Sequence, residues 1–190
     1  YKRQLERHRL LWIFLEKETD FFNTENKILH IAPEQCFYKS FKKNFESYTT
    51  CDLNSPIAEI KADVCNLPFD ENEFDFVLCN HVLEHVYDDE KAMKEIYRVL
   101  KHEGKAILQV PVDNALEKTI DGRDISDQNL RNKLFGQYDH LRIYGTDYYD
   151  KLIKVGFNVE KIDQTQKMDK SLIRKYGLIK GEVIPFCKKV

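Results

Sequence analysis

Apolar residues recur along this chain with two periods, and the switches between them outline its elements. Leu5, His8, Leu11, Trp12 and Leu15 share one helical face, which predicts an amphipathic helix within residues 1–20. A short apolar run at Ile28 to Ala32 predicts the first strand. A helix ending near Phe45 should follow, then a second strand ending at Cys51, just before Asp52. A weak third strand is expected near Ile60 to Ala62 and a fourth over Phe74 to Cys79. Ala92, Met93, Ile96, Val99 and Leu100 then repeat at helical spacing. The acidic pair Asp88 and Asp89 opens that helix, and Lys101 and Gly104 should close it.

Lys105 to Val110 reads as a buried strand stopped by Pro111. Residues 113–145 are polar, with one short helix expected from near Ser126 to Gly136. So long an excursion inside a small domain points to a substrate-side wall or lid. A helix over Thr146 to Val155, ended by Gly156, and strands over Phe157 to Ile162 and Val183 to Cys187 complete the pattern. Strands alternating with amphipathic helices define an α/β protein with a mainly parallel sheet. There is no internal repeat and no Pro/Gly linker, so residues 1–190 form one domain.

Composition narrows the partners. With 42% hydrophobic and 33% charged residues, the sequence is that of a globular domain rather than a disordered or membrane chain. A net charge of −2, with basic and acidic residues interspersed, offers no field for a nucleic acid, which is not expected as a partner. The longest apolar run, Leu10 to Leu15, is too short for membrane insertion. The five cysteines are never closely paired, and they read as reduced thiols of a cytoplasmic protein.

Four stretches carry candidate chemistry. The first is Lys27-Ile28-Leu29-His30-Ile31-Ala32-Pro33-Glu34, and the second is Asp52 at a strand end. The third runs from Ala62-Asp63-Val64-Cys65-Asn66-Leu67-Pro68-Phe69 into Phe74-Asp75-Phe76-Val77. The fourth is Asn80-His81-Val82-Leu83-Glu84-His85-Val86, with Tyr97-Arg98-Val99-Leu100-Lys101 downstream. In this order they resemble the class I S-adenosylmethionine-dependent methyltransferases, in their small-molecule type 11 form.

The resemblance is strong over residues 27–111 and looser beyond. It implies a Rossmann-like sheet of seven strands, the last antiparallel, with helices on both faces and the N-terminal helix covering the cofactor cleft. It also implies S-adenosylmethionine as cofactor, converted to S-adenosylhomocysteine. Asp52, with Leu53 beside it, would take the ribose hydroxyls. Asp63, Val64 and Cys65 would meet adenine, and His30, Ala32, Glu34, Asn80 and His81 would surround the methionine portion. The first stretch departs from the family: His30 replaces an acid, Ala32 and Glu34 replace glycines, and Pro33 removes an amide donor. Glu34 is open to two readings, as a partner for the cofactor's ammonium or as a charge at the next helix's N-terminus. A similar His-x-Ala-Pro-Glu turn marks a branch frequent among polysaccharide-related methyltransferases.

A hydroxyl acceptor needs its proton removed as it attacks the methyl group, and histidine is suited to that near neutral pH. His140 is the first candidate and His81 the second. Gln137, Asp139, Arg142 and Tyr144 are expected to contact a small polar substrate, for which a sugar or polysaccharide precursor is one candidate. The same Asp139-His140-Leu141-Arg142 segment reads equally well as a structural tie. Two rival functions stand beside methyl transfer. His81-x-x-Glu84-His85 matches a zinc-hydrolase signature, although no metal is expected because the motif begins at a strand end rather than within a helix. The altered first turn is also compatible with a non-catalytic interaction module.

Overall fold

In the central strands, successive side chains enter opposite cores, as a two-residue period requires. The computed structural model describes residues 5–190. Its elements are α1 (Glu6–Glu18), β1 (Ile28–Ile31), α2 (Gln35–Asn44), β2 (Tyr48–Asp52), β3 (Ile60–Lys61), β4 (Phe74–Cys79), α3 (Asp89–Val99) and β5 (Leu100–Ile107). They continue with β6 (Ile120–Asp121), α4 (Gln128–Phe135), β7 (Arg142–Ile143), α5 (Tyr148–Val155), β8 (Phe157–Ile162), α6 (Lys170–Tyr176) and β9 (Ile184–Lys189).

Seven strands form one sheet in the order β3-β2-β1-β4-β5-β9-β8. The first five are parallel, and β9 runs antiparallel between β5 and β8. Leu29, Ile31, Val77, Cys79 and Ala106 face one core with α3 and α5. Ile28, Phe76, Leu78 and Ile107 face the other with α1, α2 and α6. The expected seven-stranded Rossmann-like architecture is therefore present. The chain builds outward from β1 to β3 and then returns to place β4 on the other side of β1. A ligand crevice belongs at this switch point, beyond the carboxyl ends of β1 and β4.

Local chemistry explains most element ends. The Asp88 side chain accepts from the Lys91 amide and caps α3, while Asp127 caps α4, which ends at left-handed Gly136. Some expectations need correction. Lys101 to Gly104 do not close α3; Leu100 already starts β5, and the polar residues bulge from it between the pairs Phe74–Leu100 and Phe76–Lys105. The regular strand ends at Ile107, short of Val110.

The expected helix within residues 1–20 runs from Glu6 to Glu18; the first four residues lie outside the described region. Leu5 is exposed, and the buried face is Leu10, Leu11, Ile13, Phe14 and Leu15. Those residues pack against α2 and the sheet, with Trp12 stacked on Phe41 and Phe14 edge-on to Phe186, while Glu6 and Arg7 in the first turn of α1 reach the side of the sheet where His81 lies. The polar excursion contains a two-stranded sheet, β6 with β7, that its composition did not reveal. No helix among the described residues is long and apolar enough to cross a membrane.

Candidate active site at the switch point

A hollow of about 760 Å³ opens beyond the parallel strands. Ile31 and Ala32 enter it from β1, Asp52 to Asn54 from β2, Ala62 to Cys65 from β3, and His81 from β4. Val82, His85 to Asp88, Lys91 and Asp139 complete its wall. Asp52 uses one carboxylate oxygen to hold its own turn, accepting from the Asn54 and Ser55 amides at 2.7 and 2.5 Å. Its second oxygen has no hydrogen-bond partner among the described residues. Asp63 is arranged alike, with Oδ1 accepting from the Cys65 amide at 2.8 Å. Leu53 is exposed at the mouth. Burial, with Asp63 and Asp88 nearby, pushes the Cys65 thiol up to about 11, so it stays protonated and serves as a small wall residue.

The altered turn after β1 adopts the backbone that glycine would have taken. Ala32 has φ of +50°, left-handed despite its Cβ, and its amide donates to the Cys51 carbonyl at 2.9 Å. A side chain in that region costs about 1–2 kcal/mol. Ala32→Gly is therefore expected to stabilise the fold by up to about 1 kcal/mol after glycine's entropic cost, and Ala32→Val to destabilise it by more. Denaturant unfolding checks this, and a less stable Ala32→Gly protein would contradict the strain argument.

His30 is wholly buried and does not line the hollow, which corrects its expected role as a direct cofactor contact. Its ring joins the Tyr48 hydroxyl, 2.7 Å from Nδ1, to the Glu34 carboxylate at Nε2. Glu34 also accepts from Asn80 Nδ2 at 3.2 Å and makes no side-chain cap to α2. Both Glu34 oxygens are thus engaged, and the residue braces the β1 and β4 turns together. Burial works to raise the Glu34 carboxyl, but the His30 charge and the hydrogen bonds from His30 and Asn80 outweigh it and hold it low.

Asp121 behaves similarly. Burial opposes ionisation, yet Arg123 and the Arg142 charge bring the carboxyl down to about 2. A depressed carboxylate stabilises the fold above its unfolded value, near pH 4, and the contribution disappears as pH falls through the folded value. Unfolding midpoints are therefore expected to fall with acid below about pH 4, and Glu34→Gln should flatten that limb. An unchanged acid limb in Glu34→Gln would show that the carboxyl is not held low.

His81 occupies an unusual position. Its φ is +55°, its amide donates to the Gln109 carbonyl at 2.7 Å, and its Nδ1 lies 3.3 Å from Glu84 Oε1. Its side chain borders the first hollow and also a second one of about 360 Å³. Glu6, Arg7, Gln109, Asn114 and Glu182 give that second hollow polar groups, while Val110, Pro111 and Tyr149 give it an apolar side. None of these was singled out from the sequence, because they come from four separate stretches that only folding brings together. Burial, reinforced by Glu6, pushes the Glu182 carboxyl up.

The excursion contributes less than expected. His140 is buried, with Nδ1 3.2 Å from the Phe135 carbonyl and its ring packed edge-on to His85, so it does not line the hollow. Arg142 is 1% exposed and donates to the carbonyls of Leu83 at 2.8 Å, Val86 at 2.5 Å and Tyr87 at 3.0 Å. Tyr144 is 0% exposed and donates to Asp89 at 2.9 Å. Both are internal ties that cannot reach a substrate. Gln137 is exposed outside both hollows, and only Asp139 of this group lines the first. His81 and His85 do not pair as the H-x-x-E-H reading requires, because Leu83–His85 is a single 3₁₀ turn.

A parallel sheet with this strand order and a hollow at its switch point defines the class I methyltransferase fold. Residues 26–108 match the family model described as a methyltransferase domain. An uncharacterized protein of Methanocaldococcus jannaschii is 48% identical over 60 residues, covering 32% of this chain and 26% of that protein. The 2-phytyl-1,4-naphtoquinone methyltransferase of Nostoc punctiforme is 44% identical over 52 residues, covering 27% and 23%. The chain thus spans about a quarter of the length of these curated relatives. The crystal structure of YcgJ from Bacillus subtilis shares the fold, with a TM-score of 0.60 at 16% identity over 96% of this chain and 94% of that one.

S-adenosylmethionine is the expected cofactor of such a domain, and the residues present fit it. The hollow is of ligand size, two carboxylates keep an oxygen each for hydroxyl or amine donors, and the buried Asn80 Oδ1 has no partner.

Proposed function

We propose that this chain transfers the methyl group of S-adenosylmethionine to a small acceptor held in the second hollow. The reading rests on His81, which borders both hollows and stands between the donor and acceptor positions. The cofactor supplies an electrophilic methyl group on sulfur. Asp52 holds the ribose and Asp63 the adenine amine, with Leu53 and Val64 flanking the base. Glu34 and Asn80 fix the turns that set the sulfonium end, and the free Asn80 oxygen receives the ammonium group. His81 accepts the acceptor's proton, and Glu84, whose Oε1 lies 3.3 Å from its Nδ1, orients it.

The polar groups of the second hollow suit a hydroxylated molecule such as a sugar. A quinone is the second reading, favoured by the apolar side of that hollow and by the name of the Nostoc punctiforme relative. Calorimetry with S-adenosylmethionine and S-adenosylhomocysteine tests the cofactor assignment. Asp52→Ala is expected to weaken both at least about tenfold, the loss of one charge-assisted hydrogen bond. Failure of the folded protein to bind either ligand at millimolar concentration would favour an interaction module. Methylation assays with sugar and naphthoquinone acceptors then separate the two substrate readings.

A further inference from the structure

The turn Leu83–His85 and the end of the excursion bring together three side chains, of which only Glu84 enters the proposed methyl transfer, through His81. One candidate ligand atom each from Glu84, His85 and His140 lies within 4.8 Å of the other two. Both rings are held from behind. His85 Nδ1 is 3.1 Å from the Asp139 carbonyl oxygen and 3.5 Å from its carboxylate, and His140 Nδ1 is 3.2 Å from the Phe135 carbonyl. A carbonyl only accepts, so each ring carries its proton on Nδ1 and keeps the Nε2 lone pair available. The third group, Glu84, is 1% exposed; its Oε1 meets His81, while Oε2 is buried with no hydrogen-bond partner.

A buried carboxylate oxygen without a donor is costly, and two neutral imidazoles whose Nδ1 protons go to carbonyls have none left to supply. A cation satisfies all three groups at once. The geometry points to a divalent transition-metal site formed by Glu84, His85 and His140, with zinc the best match to two imidazoles and a carboxylate. Magnesium and calcium prefer all-oxygen shells. The carbonyls behind both rings are the outer-sphere partners that metal-bound histidines ordinarily have. Bonds of about 2.0–2.1 Å to a tetrahedral centre place ligand atoms about 3.3 Å apart, so the side chains close by rotation about their χ angles. His85 also borders the cofactor hollow. The site is distinct from the H-x-x-E-H reading, since His81 is not part of it, and it does not depend on methyl transfer.

The test uses the full chain, stripped with a chelator and dialysed, then titrated with Co²⁺ by visible absorption and with Zn²⁺ by calorimetry. One equivalent should bind with d–d bands of low coordination number and no thiolate charge transfer. Glu84→Gln and His140→Asn should each weaken binding at least about tenfold. His102→Ala, an exposed histidine on the β5 bulge, should leave it unchanged. His85→Asn, on a more exposed residue, carries the test if His140→Asn does not fold. Absence of binding at millimolar metal, unchanged affinity in the ligand variants, or a thiolate band placing the ion on Cys65 would each overturn the site.

Discussion

His81→Asn is expected to lower the methyl-transfer rate by about 10²–10⁴-fold, the range for loss of a general base, while cofactor affinity stays within a factor of a few. Asparagine tolerates the left-handed backbone that residue 81 adopts, so the turn after β4 and its amide bond to Gln109 should persist. A parallel loss of S-adenosylhomocysteine affinity would instead show that His81 shapes the cofactor hollow. Undiminished turnover would remove His81 as the base. His140→Asn is a useful contrast, because His140 faces no hollow and should change turnover only through the stability of the excursion.

Arg142→Met should destabilise the protein by about 3 kcal/mol or more, which for a chain of this length lowers Tm by about 6–12 °C. Methionine fills much of the volume but donates nothing. The Val86 and Tyr87 carbonyls would lose their side-chain donor, the Leu83 carbonyl would keep only Tyr144 and the Val86 amide, and Asp89 and Asp121, at 3.8 and 3.6 Å, would lose a neighbouring positive charge. Thermal unfolding reads the effect. A shift under about 2 °C would mean that solvent replaces the guanidinium and that the turn is not pinned from inside.

The fold was legible because its signals are local. Short apolar runs gave β1, β4 and β8, the acidic pair Asp88 and Asp89 gave the start of α3, and Gly136 gave the end of α4. The bulge at Lys101 to Gly104 escaped notice because polar residues after a helix read equally well as its solvated last turn. Asp52 and Asp63 were legible as strand-end carboxylates, and the structure places both on the hollow. The excursion was misleading for a physical reason. A dense cluster of Asp, His, Arg and Tyr has the same composition whether it grips a ligand or ties down a loop. Only burial separates the two, and Arg142 and Tyr144 are buried. The second hollow was invisible because Glu6, Gln109, Asn114 and Glu182 are remote in sequence.

The position of β9 between β5 and β8 carries a consequence for synthesis. While the ribosome is still making residues 163–183, β8 has no hydrogen-bonded neighbour, and β5 presents a bare edge on that side. Such edges recruit other chains. A nascent or prematurely released polypeptide lacking Ile184 to Lys189 should therefore be prone to self-association, however complete its nucleotide-binding half.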